Sequence, residues 1–155
     1  MESWNTAFRR GLVGGATSSV LSTAALALLG RRDTGSAYAP TNAVSHWIYG
    51  DAALHENAPT LRHTVPGYLI HHGSAMFWSV LFERLCGSLL DRRQPALTLG
   101  AATAASAVAC FVDYELTPRR FQPGYEAHLS RPSLAVVYGV FGVGLALGAM
   151  LSRRS

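Results

Sequence analysis

The sequence has no lysine and few charged residues, and its basic residues are placed in a regular way. Charged residues make up 14% of the 155 residues, and all 13 basic residues are arginines. Ten of them form pairs beside apolar segments: Arg9 with Arg10, Arg31 with Arg32, Arg92 with Arg93, Arg119 with Arg120, and Arg153 with Arg154. Pairs at segment ends are typical of membrane topology signals and anchors. We therefore expect no nucleic-acid partner, although a basic balance alone would suggest one.

Only two cysteines are present, and their positions argue against a disulfide. Cys86 and Cys110 lie late in two consecutive apolar segments, which run antiparallel if both cross a membrane. The two thiols then lie near opposite membrane faces, whereas a disulfide needs Cα atoms within about 7 Å of each other. We expect two free thiols.

The chain also lacks the short motifs that define common active sites. It contains no His-x-x-x-His, no Cys-x-x-Cys, no Gly-x-Ser-x-Gly and no phosphate-binding loop. The glycines Gly142, Gly144 and Gly148 have the wrong spacing for a dinucleotide fingerprint. Like Gly11 and Gly15, they have the small-residue spacing that lets membrane helices approach closely. These glycine faces predict helix packing and a candidate homo-oligomer.

The sequence does contain four long apolar segments, at residues 11–30, 65–90, 95–112 and 132–152. A membrane span needs about 20 mostly apolar residues to cross roughly 30 Å of hydrocarbon. Polar residues gather at the segment ends, which argues against the alternative, a soluble Ala-rich helical bundle. We therefore predict an all-α fold, a single integral membrane domain (residues 1–155) with a four-helix bundle in the lipid bilayer.

Four crossings place the connections 31–64 and 113–131 on one membrane face. The first connection is predicted to contain a short amphipathic helix at the interface, from Thr41 to about Glu56, with Trp47 at interfacial depth. The arginines outside the four segments are divided equally between the two faces, six against six, so the positive-inside rule decides nothing by number. Shorter segments and fewer acids on the other face favour cytoplasmic termini.

The absence of lysine and the bias towards Ala, Arg and Gly favour a GC-rich bacterial genome, and therefore the bacterial inner membrane.

One alternative stays open for the first segment. The chain's start has the layout of a cleaved twin-arginine signal. The arginine pair is Arg9 with Arg10, the apolar run follows it, and Ala37-Tyr38-Ala39 has the small residues of a cleavage site. The 20 uncharged residues and the arginines that follow them favour a membrane anchor instead.

All six histidines fall in the two connections of this face or in the adjoining segment ends. His71 and His72 are the strongest candidates for a site, because ionisable groups inside a membrane segment are rare and usually functional. Asp113 ends the third segment on the same face, either as a metal ligand or as the acceptor that orients a histidine. The other candidate metal ligands are Glu126, His128, His63 and His46.

Three functions follow from these patterns. The first is a transition-metal site holding Zn, Fe or Cu, with haem as a variant, for redox or hydrolytic chemistry on a membrane-soluble substrate. The second is a non-catalytic assembly protein that packs through its glycines. The third is proton or metal passage along two polar stripes. The stripes are His72, Met76, Ser79 and Glu83 in the second segment, and Thr103, Ser106, Cys110, Asp113 and Thr117 in the third.

Overall fold

The computed structural model describes residues 1–154, and all regular structure within them is helical. The α-helices are α1 (Trp4–Thr34), α2 (Ala39–Val44), α3 (His46–Tyr49), α4 (Thr64–Leu90), α5 (Pro95–Phe111) and α6 (Arg131–Leu151). A π-helical turn, Val112–Leu116, continues α5. Short 3-10 turns occupy Gly50–His55, Arg119–Phe121 and Tyr125–Ala127. The four long helices confirm the four helical segments expected from the sequence.

Three of the long helices are long and apolar enough to cross a membrane: Trp4–Thr34, Pro95–Leu116 and Arg131–Leu151. The second segment forms α4, which has 27 residues but is not among the three, because His71, His72, Glu83 and Arg84 lower its hydropathy. The fourth crossing therefore stays a prediction. The two cysteines are free, as expected.

Helix α1 lies between α4 and α6, and glycines make both contacts close. A Cβ on Gly148 would lie 2.3 Å from the Cα of Gly14, and one on Gly144 would lie 2.4 Å from the Cα of Ser18. On the α4 side, a Cβ on Gly15 would lie 2.8 Å from the Cα of Met76. These glycines, predicted to pack helices, do so within the chain.

Helix α5 packs on α6, whereas α4 and α5 contact each other only sparsely. Their shared core includes Phe82, Leu90 and Ala102 towards the end that holds both termini, and extends to Ala75 and Ala109 at the wall of the cavity described below. At the opposite end the two helices leave a space between them, and the connections pack over it. This uneven closure of the bundle positions the site described below.

Charged residues tie the helices together at the end with both termini. Both guanidinium NH groups of Arg153 donate to the Glu83 carboxylate, at 2.9 and 2.8 Å, and both side chains are buried. Arg153 Nε donates to Asp91, which also accepts from Arg10 at 2.9 Å. The N-terminus, the α4–α5 turn and the C-terminal end therefore meet, as the four-segment topology predicts.

The first connection differs from the expected surface helix. Residues 41–56 do not form one amphipathic helix but divide into α2, α3 and a 3-10 turn, and all six residues of α2 are buried. Its Asn42 side chain donates to the carbonyls of Glu56 and Ala58 and accepts from Thr64. The expectation of an interfacial helix was wrong because these side-chain bonds draw the segment into the protein against α4.

Candidate functional site

A cavity of about 510 Å³ occupies the space between α4, α5 and α6. Its walls are mainly apolar, and aromatic side chains form much of them: Trp47, Phe77, Trp78, Phe121, Tyr125, Tyr138 and Phe141. The polar residues that reach it include Ser22, His71 and Asp113. Gly73 and Phe77 are exposed and mark its edge along α4. The cavity has the size and the lining typical of small-molecule sites in proteins.

His71 is buried at the wall of this cavity, and each ring nitrogen has a hydroxyl partner. Nδ1 lies 2.6 Å from the Tyr125 hydroxyl, and Nε2 lies 2.9 Å from Ser22 Oγ. Ser22 Oγ also lies 2.7 Å from the Ser18 carbonyl, which can only accept. Because a hydroxyl has a single proton, Ser22 donates it to that carbonyl and accepts from His71. This arrangement assigns the proton of a neutral His71 to Nε2 and leaves Nδ1 to accept from Tyr125.

Tyr125 enters the protein from the second connection. Gly124, just before it, has φ of 84°, a left-handed conformation that glycine adopts without strain. A Cβ on Gly124 would also lie 3.3 Å from the Ala43 carbonyl and from His46 Nδ1, so this turn sits close against α2. Tyr125 packs among Leu26, Val44 and other buried residues. Burial raises the pKa of the Tyr125 hydroxyl well above its usual range, so this hydroxyl remains a donor.

Asp113 lies in the π-helical turn at the end of α5. This turn replaces the normal i to i+4 bond by one from the Thr117 amide to the Val112 carbonyl, at 2.8 Å. Such turns are rare in proteins overall, but those that do occur are frequently found at functional sites. Here the Asp113 carboxylate accepts from the Tyr138 hydroxyl of α6 at 2.7 Å. The same carboxylate lines the cavity, so α5 and α6 together present it there.

The first connection covers the cavity. Trp47 lines it, and the Trp47 indole donates to the Gln122 carbonyl at 3.0 Å. Arg120 donates to the carbonyls of His46 and Trp47, both at 3.0 Å. Trp47 also packs edge-to-face on Phe121, with ring centroids 5.7 Å apart. The two connections, which are distant in sequence, therefore form one cover.

The remaining sequence candidates are not brought to the cavity. The Nδ1 atom of His72 forms a hydrogen bond of 2.9 Å with Ser19 Oγ, on the side of α4 that faces α1. His46 Nδ1 donates to the Ala43 carbonyl at 2.7 Å, and His63 Nδ1 lies 3.1 Å from Ser45 Oγ. Glu126 is exposed.

His128 is half-buried, and its Nε2 is enclosed without a hydrogen-bond partner among residues 1–154. Over the same residues, no three His, Cys, Asp or Glu side chains come together in a group that can hold a metal ion. The structure thus gives no support to the metal centre expected from His71, His72, Asp113, Glu126, His128, His63 and His46. Of these seven residues, only His71 and Asp113 line the same cavity.

The sequence did not predict a role for Tyr125, Tyr138 or the aromatic walls. One signal was present: Pro123-Gly124 predicts a turn, and an aromatic residue directly after it can fold inward. Tyr138 lies in an apolar segment, where a lone tyrosine usually marks a hydroxyl that has a partner. Comparison with protein-family models, curated proteins and solved structures finds no match to this chain.

Proposed function

We propose that this protein is a four-span helical membrane protein that binds a membrane-soluble small molecule in the cavity between α4, α5 and α6. The observation that carries the proposal is the cavity itself. Its walls are apolar and aromatic, and two polar pairs, His71 with Tyr125 and Asp113 with Tyr138, are placed at fixed positions within them. An apolar body and a polar head on one ligand would fit both features.

The fourth crossing is supported by the way α4 places its side chains. Its polar residues His71, Ser79 and Glu83 are buried, while large apolar residues such as Leu69 and Phe77 are exposed, each at 60%. A helix with apolar residues outside and polar residues inside suits a bilayer rather than water. At about 1.5 Å per residue, its 27 residues are also long enough to cross.

Entry from the bilayer is the route that this arrangement favours. Gly73 and Phe77 form the edge of the cavity and face the outside of the bundle, where lipid would lie. The cover formed by Trp47 and Phe121 lies over the end of the cavity nearest the connections. A ligand that partitions into the membrane would therefore reach the cavity between α4 and α5.

Energy transfer from tryptophan to a neutral hydrophobic fluorophore tests this proposal. The probe is N-phenyl-1-naphthylamine, added to the protein in lipid nanodiscs with empty nanodiscs as the blank. Trp47 and Trp78 line the cavity, so bound probe is expected to give a saturable signal. Gly73→Phe fills the cavity edge, where a Cβ meets no atom within 4 Å, and is expected to abolish saturation.

Gly139→Phe is the matched control. Gly139 also has open space for a Cβ and is exposed, but it lies on α6 away from the cavity lining. This variant is expected to bind the probe as the wild type does. A signal that never saturates, or equal losses in both variants, would overturn the proposal.

Metal-dependent chemistry on a membrane-soluble substrate, the first hypothesis from the sequence, is less well supported. Both ring nitrogens of His71 are engaged by hydroxyls. A metal at this position would have to displace Tyr125 or Ser22, since ligation needs a free nitrogen lone pair. Elemental analysis of untagged protein separates the two ideas: the cavity proposal expects less than one equivalent of Zn, Fe or Cu, and a stoichiometric metal would favour the first hypothesis.

A further inference from the structure

The Asp113 carboxylate faces the cavity and has no basic partner among residues 1–154. Its one hydrogen-bond donor within residues 1–154 is the Tyr138 hydroxyl, which reaches Oδ2 and leaves Oδ1 without a donor. It forms no ion pair in that part of the chain, in contrast with Glu83, which binds Arg153 through two bonds. A carboxylate among apolar side chains is costly unless an opposite charge compensates it.

Within residues 1–154, no side chain is placed to supply that charge. The cavity lining of this part of the chain contains no arginine, and its one basic residue is His71. Arg120 lies seven residues after Asp113, but its guanidinium is held by the His46 and Trp47 carbonyls. His71 uses both nitrogens in a hydrogen-bond pattern that fits the neutral ring.

The rest of the lining suits a cation as well. Seven aromatic residues line the cavity, among them Trp47, Trp78 and Tyr138. The faces of such rings attract cations, most strongly where water is excluded. Tyr125 already donates its proton to His71, so its oxygen can only accept from a ligand. The fixed polar groups that a ligand meets are therefore mostly acceptors.

We infer that the cavity selects a lipophilic monocation, an apolar or aromatic body with one positive charge such as a protonated amine, whose charge is placed near Asp113. This inference rests on the proposed function, because it specifies the ligand of the same cavity. It also states the charge, which the cavity volume and apolar walls alone do not determine.

Binding of two ions of matched size and opposite charge tests the inference. Tetraphenylphosphonium and tetraphenylborate are titrated separately into the wild type in neutral-lipid nanodiscs, and tryptophan quenching is followed with empty nanodiscs subtracted. We expect saturable binding of the cation, at least about tenfold tighter than any binding of the anion. Asp113→Asn is expected to weaken cation binding about tenfold or more, since it removes the charge and keeps the shape.

Glu115→Gln is the control: it removes an exposed carboxylate two residues away and is expected to leave cation binding unchanged. Tyr138→Phe is a second test, because Tyr138 lines the cavity. It removes the hydrogen bond to Asp113 but keeps the charge, and is expected to tighten cation binding. Circular dichroism establishes that each variant is folded, so loss of binding in Asp113→Asn alone is specific.

The outcomes distinguish this inference from the proposed function. Equal affinity for the two ions, or unchanged cation binding in Asp113→Asn, would overturn the inference while binding of the neutral naphthylamine probe would still support the cavity. Loss of cation binding in Tyr138→Phe as large as that in Asp113→Asn would also overturn it, by assigning the effect to cavity shape. Failure of the neutral probe and both ions to bind the wild type would overturn both.

Discussion

The Tyr125 hydroxyl donates to His71 Nδ1 across 2.6 Å and joins the second connection to the middle of the bundle. The two residues are 54 positions apart in sequence. Their bond continues through the His71 ring to Ser22 of α1, so one histidine links three separate parts of the chain. The same group forms part of the cavity wall, which makes the integrity of the fold and the shape of the site depend on the same contact.

Tyr125→Phe should destabilise the protein because it leaves His71 Nδ1 buried without a donor. We expect a loss of about 1–3 kcal/mol in the free energy of unfolding. Thermal unfolding followed by circular dichroism in detergent measures the change. Tyr38→Phe, which removes a hydroxyl from an exposed tyrosine, is the control and should have no measurable effect. Equal stability of the two variants would show that the Tyr125 bond contributes nothing.

Glu83→Gln should destabilise the bundle rather than only alter transport. Removing Glu83 leaves the buried Arg153 guanidinium with only the more exposed Asp91 as an acidic partner, at a cost of up to about 3–5 kcal/mol. The passage hypothesis expects instead that Glu83→Gln abolishes flux in proteoliposomes and leaves the protein folded. Thermal unfolding and a flux assay on the same preparation distinguish the two expectations.

An apolar replacement of the whole pair provides the matched comparison. The double variant Glu83→Leu with Arg153→Met removes both charges and leaves no unpaired ion. It should regain most of the stability that Glu83→Gln loses, as replacement of buried ion pairs by apolar residues often does. A double variant less stable than Glu83→Gln would show that the pair contributes more than mutual compensation of charge.

Gly148→Leu should disrupt folding rather than self-association. A Cβ at this position would lie 2.3 Å from the backbone of Gly14, so α1 and α6 must separate to accept the side chain. We expect the free energy of unfolding to fall by about 1–3 kcal/mol or more. Thermal unfolding measures this change, and size-exclusion chromatography measures the oligomeric state of the same preparation. Gly139→Leu, in open space on the same helix, is the control. A folded Gly148→Leu protein with an altered oligomeric state would favour the assembly hypothesis.

Stability should fall as the pH is lowered below about 6.5, the usual pKa of histidine. Burial lowers the pKa of His128, so the folded protein binds fewer protons at this residue than the unfolded chain. Unfolding is therefore favoured as the pH falls from the unfolded pKa towards the lowered folded pKa. His128→Gln should reduce this slope in unfolding midpoints measured between pH 7.5 and 5. A slope that is the same in both proteins would contradict this role for His128.

The sequence predicted the helices well but the site poorly, for a physical reason. Long apolar segments are local features, and the predicted boundaries of the second segment, 65–90, lie within one residue of α4. The cavity depends on contacts between segments: Tyr125 reaches His71 only because Gly124 turns the chain inward. Topology alone predicted that the histidines would lie on one face and come together. In the structure several of them bond to nearby groups instead, as His46 does to the Ala43 carbonyl, and do not reach the cavity.

The buried α2 helix illustrates the same limit. Its sequence around Asn42 is short and without strong periodicity, so only neighbouring residues suggested an amphipathic segment. Three side-chain bonds of Asn42, to Glu56, Ala58 and Thr64, determine that it lies inside. Hydrogen bonds between residues this far apart leave no pattern of spacing in a single sequence.

Photolabelling tests the central claim, ligand binding in the cavity, most directly. A neutral hydrophobic diazirine probe is activated in nanodiscs, and its adducts are mapped by mass spectrometry with and without excess N-phenyl-1-naphthylamine. We predict adducts at cavity residues such as Trp78 and Tyr138 that the competitor suppresses and that Gly73→Phe eliminates. Adducts confined to exposed apolar positions such as Leu28 and Leu69, unaffected by competitor, would contradict the account.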